Sequence, residues 1–395
     1  MKIFNIIYAS VISINMQYTS EYPYLIVMSV VFVFALVLSK VSFFSVELEK
    51  ESSSRLSSID GLRGLLALGV FFHHSIIMYY YYMNGTWKVP PSTFYTLLGE
   101  ASVPLFFMIT GFLFWSKILG SKFDVKNFYI RRIQRIVPLY IFTTVVVILI
   151  VFINTNFTIM VDSLELVIQL VRWFSFTFLG TPDINGFKDT FTIESVYWTL
   201  RWEWIFYLSL PLLALFKSKS YILIMTLIAI SIYFQQIHLL NFVLGLLAAN
   251  IITSPHVGFL RHKLFYFVGI IAMFLLFVLF TRGYGTIQSI LLFVFFLSIV
   301  FDNTLFGILK TKAMRFLGLI SYSIYLLHNI LVWSMFKVWN YYEPIKEATP
   351  LTIWMLILTT AVLVVWISSV TYKYIEHYFY VSKFTLFRKR EVNAN

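Results

Sequence analysis

A chain of 395 residues, 59% hydrophobic and only 12% charged, excludes a soluble globular domain and reads as a polytopic membrane protein. It has no cysteine, which rules out a cysteine nucleophile, a thiolate metal site and any disulfide. The net charge of +12 needs no nucleic acid to explain it once its placement is read, and 10 Trp, 25 Tyr and 42 Phe suit interfacial belts and a lipid-facing surface.

Residues 1–22 are short and mixed, with no small-residue cleavage site, so a signal peptide is not expected. Stretches long and apolar enough to span follow at 23–46, 59–83, 96–119, 136–155, 196–216, 220–235, 238–253, 263–281, 285–301, 313–338 and 350–375. The run 162–180 contains Asp162, Glu165, Gln169 and Arg172, and reads as lying at the interface or re-entering. The polar stretch EKESSSRLSS (49–58) is a short linker. It divides an N-terminal segment (1–58) with one accessory helix from a membrane domain (59–376), which a basic tail (377–395) follows.

Charge orients these spans. With 117–135 in the cytoplasm, strict alternation puts 20 Lys and Arg on that side and seven on the other, leaving Lys40, Arg63 and Arg201 inside spans. That is the positive-inside bias, and it predicts an external N-terminus and a cytoplasmic C-terminus.

The span at 59–83 opens on IDGLR and carries Asp60, Arg63, His73 and His74, where ionisable groups cost several kcal/mol unless paired or facing a cavity. Arg63 and His74 are eleven residues apart, which returns them to nearly one face about 16 Å apart; His73 points about 100° away and reads as packing. Reckoned from the external ends of their spans, His74, Glu203 and His328 lie about 13, 10 and 15 Å deep, at one level. A neutral imidazole beside a carboxylate at that depth is what a general base needs. Asp60 is about 21 Å away along the same helix, so Glu203 is the carboxylate expected beside His74. Two alternatives stand: Glu203 neutralising Arg201 or Arg63, and His328 serving as a structural hydrogen-bond partner. The basic run 127–140 is either a topology anchor or a site where Arg forks hold a phosphorylated cytosolic donor.

Five stretches together resemble the acyltransferase-3 family. IDGLR with His74 looks like its Arg-x10-His signature, VPLFFMITGFL (103–113) like LFFxxSGFL, and YIRRIQRIVPLY (129–140) like YxxRRxxRIxPLY. YWTLRWEWIFYLSLP (197–211) resembles WSLxxExxFYLxxP, and LGLISYSIYLLH (317–328) resembles LGxISYSLYLxH. Thr110 stands where the family usually has Ser, Arg201 replaces a small residue, and Tyr378 stands where a Pro follows the SYxxIE-like TYKYIE. The resemblance implies an all-α membrane protein with a ten-helix core, here with one extra N-terminal helix and no esterase-like domain. It also implies transfer of an acyl group, usually acetyl, from cytosolic acyl-CoA to a hydroxyl of a cell-surface glycan, with His74 as catalytic histidine and Arg63 as its motif partner.

The resulting expectation places acyl-CoA on Arg131, Arg132 and Arg135 and threads its thioester past Arg63 towards His74, which Glu203 orients. Asp60, Thr110, Arg201, Tyr325 and His328 are expected along the substrate path, and no metal is expected. The partners are acyl-CoA, membrane lipid and a glycan or lipid-linked glycan, with O-antigen of lipopolysaccharide, capsule and exopolysaccharide as acceptors, in a bacterial cytoplasmic membrane. A rival reading is a transporter or flippase whose Arg63 and Glu203 bind substrate; its inverted-repeat symmetry is not found in the sequence.

Overall fold

The computed structural model describes residues 18–52, 57–120 and 123–380. The expected external N-terminus, Lys122 and most of the basic tail lie outside these described residues. Among them the fold is all-α. In chain order the helices are α1 (Glu21–Leu38), α2 (Ser42–Ser52), α3 (Ser57–Asn84), α4 (Thr93–Gly120) and α5 (Val125–Asn154). Then come α6 (Ser163–Trp173), α7 (Trp198–Ala214), α8 (Ser220–Tyr233), α9 (Ile237–Thr253), α10 (Lys263–Leu279) and α11 (Thr286–Val300). α12 (Lys312–Leu319), α13 (Ser321–Tyr342) and α14 (Pro350–Thr371) complete the chain.

Among the described residues, five helices are long and apolar enough to cross a membrane: α1, α3, α4, α5 and α14 with its continuation to Tyr380. Two sharply bent pairs raise that to seven, and α9, α10 and α11 are shorter apolar helices. Three of the expected boundaries change. The span at 23–46 stops at Leu38, where the Ser39 hydroxyl turns back onto the Leu36 carbonyl at 2.7 Å. The spans at 196–216 and 220–235 meet at a 93° bend around Lys217–Lys219. The expected single helix over 313–338 is two helices, α12 and α13, set at 72°. Ile320 forms that break with φ −93° and ψ 9°, and the Tyr322 hydroxyl holds the start of α13 by donating to the Ile136 carbonyl at 2.9 Å.

Lipid supplies no hydrophobic drive between helices, so close van der Waals packing and small residues bring them together. α3 is the central element: 83% of its apolar window is buried, against 17% for α1, which touches the bundle along Val27, Val31 and Ala35. At the crossing of α4 and α9, Gly111 faces the Phe242 carbonyl and Gly245 faces the Met108 carbonyl, so a Cβ on either would collide with backbone. Gly318 of α12 lies likewise on the Asp60 carbonyl, which seats α12 across the start of α3.

The segment between α5 and α7 is ordered by its own polar groups. α6, with 11 residues, is too short to cross a bilayer; it exposes Leu164, Val167, Ile168 and Val171 and buries Leu166 and Trp173, which suits the interfacial reading of 162–180. Buried Asn185, at φ 51°, donates to Thr155 and Thr158 and accepts from the Met160 N–H. Asn329 of α13 donates to the Thr192 carbonyl at 2.8 Å, which fixes the stretch carrying Ser195 over α13. After α14 a π turn, Tyr372–Glu376, turns the Glu376 carboxylate inward; with Tyr378 where the family has Pro, the helix runs on to Tyr380.

Candidate active site

Two of the cavities along α3 and α4 are lined by charged side chains. One, of about 280 Å³, holds His74. His74 Nδ1 is 2.9 Å from His328 Nε2, and the rings stack at 5.1 Å. His328 Nδ1 is 3.1 Å from the Ile324 carbonyl, a group that only accepts. With both imidazoles neutral, His328 therefore carries its proton on Nδ1, and His74 must donate from Nδ1 to His328 Nε2. That leaves His74 Nε2 as the bare, basic nitrogen, and Ser195 Oγ lies 3.3 Å from it. The Trp87 ring also stacks with His74, their centres 6.1 Å apart.

The carboxylate among the residues lining this cavity is Glu100, and it is engaged elsewhere. Arg282 Nε donates to both its oxygens at 2.9 and 3.1 Å, Arg282 Nη2 lies at 2.7 Å, and the Gly283 N–H donates at 2.7 Å. This clamp straps the turn between α10 and α11 to α4. His73 accords with its packing role, with Nδ1 2.8 Å from the Tyr95 carbonyl and its ring filling the space a Cβ on Gly99 would need. Beside Ser195, burial pushes the Glu194 carboxyl well above the usual carboxylate range, opposed by the Val196 N–H.

The other cavity, about 300 Å³, is basic. Arg63, Lys117, Arg132 and Arg135 line it with one carboxylate, Glu203, so the side chains leave a net charge of about +3. The Arg132 guanidinium lies 4.8 Å from the centre of the Phe114 ring, and its Nε is buried with no hydrogen-bond partner. An unpaired buried cation donor is costly, and an anion would satisfy it. Glu203 accepts from Tyr207 at 3.2 Å. Glu376, which accepts from Ser323, lends its negative field to Arg135 and Arg63. Val103 and Tyr325 line both cavities.

The structure thus brings His74 and His328 together, as their depths require, and groups Arg63, Arg132, Arg135, Thr110 and Glu203 in the basic cavity. It separates Glu203 from His74: no hydrogen bond joins them among the described residues, and Glu203 faces the arginines. Depth fixes a level but not an azimuth, and Glu203 lines the basic cavity while His74 lines the other. Arg131 and Arg201 are half-buried and line neither cavity. Asp60 sits 4.0 Å from Arg63. Sequence reasoning missed Glu100, which as an ionisable residue inside a span carried a signal. It also missed Ser195, a loop serine that carried none.

A family model described as an acyltransferase domain matches residues 56–370. The O-acetyltransferase OatA of Staphylococcus aureus is 29% identical over 203 residues, 47% of this chain and 30% of that protein. Nodulation protein 10 of Rhizobium leguminosarum bv. viciae is 28% identical over 174 residues, 42% of this chain and 46% of that one. The matches thus span less than half of either relative. No solved structure matches. The arginine-and-histidine cavities sit inside the matched region, and the chain is a membrane-integral member of the acyltransferase-3 family.

Proposed function

We propose that the protein is an O-acyltransferase that carries an acyl group, most simply acetyl, from cytosolic acyl-CoA to a hydroxyl of a cell-surface glycan. The observation that carries this is the pair of cavities sharing one wall: a cationic one suited to a polyphosphorylated donor, and one built around a bare imidazole nitrogen. The named activity of the OatA relative supports the acetyl group. Trp87, Trp198 and Tyr284 beside Lys88 in the histidine cavity support a sugar, whose C–H faces stack on aromatic rings and whose hydroxyls seek polar partners. O-antigen, capsule and exopolysaccharide are the acceptors in view.

In this reading, residues 59–376 form the acyltransferase domain, a ten-helix core with α1 as an accessory, in a bacterial cytoplasmic membrane. Arg132 and Arg135 hold the donor phosphates, and Arg63 guides the pantetheine arm. His74 Nε2 removes the proton of the acceptor hydroxyl as its oxygen attacks the thioester carbon; the C–S bond breaks, and the proton passes to the departing CoA thiolate. His328 keeps the His74 tautomer correct, the part expected of Glu203. Glu203 instead balances charge among the arginines.

Deleting the gene and restoring it as wild type or as His74→Ala tests the assignment, with ester-linked acetate on purified surface glycan as the readout. Wild type restores the ester and His74→Ala does not; ester acetate unchanged by the deletion overturns the proposal. Orientation is tested in the same cysteine-free chain. Asn84→Cys should label with an impermeant maleimide in intact cells while Lys126→Cys stays unlabelled, and the opposite pattern inverts the topology.

A further inference from the structure

Val103 and Tyr325 are the lining residues that the basic and histidine cavities have in common. We propose that the Tyr325 ring, closing against Val103, is a gate that keeps the acyl donor from the acceptor side and sets the length of acyl chain that crosses. This rests on the acyltransferase reading above and names the selectivity element of that same site.

The gate is held shut by a defined latch. Thr199 Oγ1 donates to the Val196 carbonyl at 2.9 Å, so its proton is committed. The Tyr325 hydroxyl, 3.0 Å from Thr199 Oγ1, must therefore be the donor of that pair. One neutral hydrogen bond thus ties the ring to the first turn of α7, while Phe106 braces it edge-on at 5.7 Å from the basic side. The facing wall is loosened at the same level. Val103 precedes Pro104, which has no N–H to offer the Glu100 carbonyl, so the α4 ladder lacks a rung there. Tyr325 also lies one helical turn before His328, so the ring stands between the arginines and the His74–His328 pair.

Transfer requires the thioester carbon to leave the basic cavity and meet the oxygen poised at His74 Nε2. The ring and Val103 stand where the two cavities adjoin, and a small rotation of the ring admits a two-carbon acyl group before a longer one reaches Val103. Shut, the ring also keeps water at the histidine side from the thioester while no acceptor is bound.

The test uses the full chain in lipid nanodiscs, with acetyl-CoA and butyryl-CoA as probes and no acceptor added. A thiol reagent reads CoA release, and the absence of cysteine leaves the protein itself silent. Tyr325→Phe and Thr199→Val keep the packing but cut the latch, and should raise idle acetyl-CoA hydrolysis about fivefold. Val103→Ala and Tyr325→Ala widen the passage, and should raise the butyryl-to-acetyl ratio about tenfold. All four should still bind CoA, because Arg132 and Arg135, which hold its phosphates in this reading, are untouched. Unaltered idle release and an unaltered ratio at saturating acyl-CoA, in variants that still bind CoA, overturn the gate alone. A wild-type chain that binds no CoA overturns the acyltransferase reading and the gate with it.

Discussion

The basic cavity and the histidine cavity share α3 and α4 but are built on different principles. The basic one is a matter of net charge: four cations, one carboxylate and a donor nitrogen left without a partner. The histidine one is a matter of proton position: a carbonyl on α13 fixes one imidazole, which fixes the other. A site built on charge tolerates the loss of any one member, because its neighbours still attract the same ligand. A site built on tautomers fails with any link. Substitutions in the two cavities should therefore differ in size and in the kinetic constant they touch.

His74→Ala should have the largest effect, a fall in kcat of about 10²–10⁴ with normal membrane insertion, measured as acetyl transfer per mole of inserted protein. His73→Ala should leave kcat near wild type and lower only yield, since its nitrogen serves the Tyr95 carbonyl. If His73→Ala is the inactive one, the two cavities have been read the wrong way round.

Next comes His328→Ala. It frees the His74 tautomer without touching the donor, so kcat should fall about 100-fold while the KM for acetyl-CoA stays fixed. A matching rise in that KM would show that the histidine pair is not separate from the donor site.

Arg132→Gln should do the reverse, raising the KM for acetyl-CoA about tenfold with little loss of kcat, as one charge-assisted contact disappears among several. The smallest effect belongs to Glu203→Gln. The amide keeps a partner for Tyr207 and removes the negative charge opposing the arginines, so acetyl-CoA should bind more tightly by about threefold. A hundredfold collapse of kcat in Glu203→Gln would reinstate the carboxylate–imidazole pairing drawn from depth and erase the contrast between the cavities.

Much of this was legible in the chain, for identifiable reasons. Charge near membrane ends is local information, so the arginines at 131–135 pointed to a basic site, although Arg131 itself turned out to line neither cavity. The return of Arg63 and His74 to one face follows from helical geometry, and the structure puts each on a cavity. The pairing of His328 with His74 was within reach because both depths could be counted. The azimuth of Glu203 was not, because it depends on how α7 is rotated within the bundle, which no local pattern records. The Glu100–Arg282 clamp joins residues 182 apart in sequence, and neither carries a local sign of the other.

The break between α12 and α13 reaches beyond chain direction. Ser321 and Tyr322, the first two residues of α13, line the basic cavity, and the Glu376 carboxylate accepts from the backbone N–H and the hydroxyl of Ser323 in the same turn. Unsatisfied backbone N–H groups at a helix start behave as roughly half a positive charge. The Glu376 carboxylate already answers that partial charge, so the attraction of the cavity for phosphate is left to its lysine and arginines. Glu376→Gln should therefore uncover the helix end and tighten donor binding about threefold, a gain that no count of lysines and arginines would foretell.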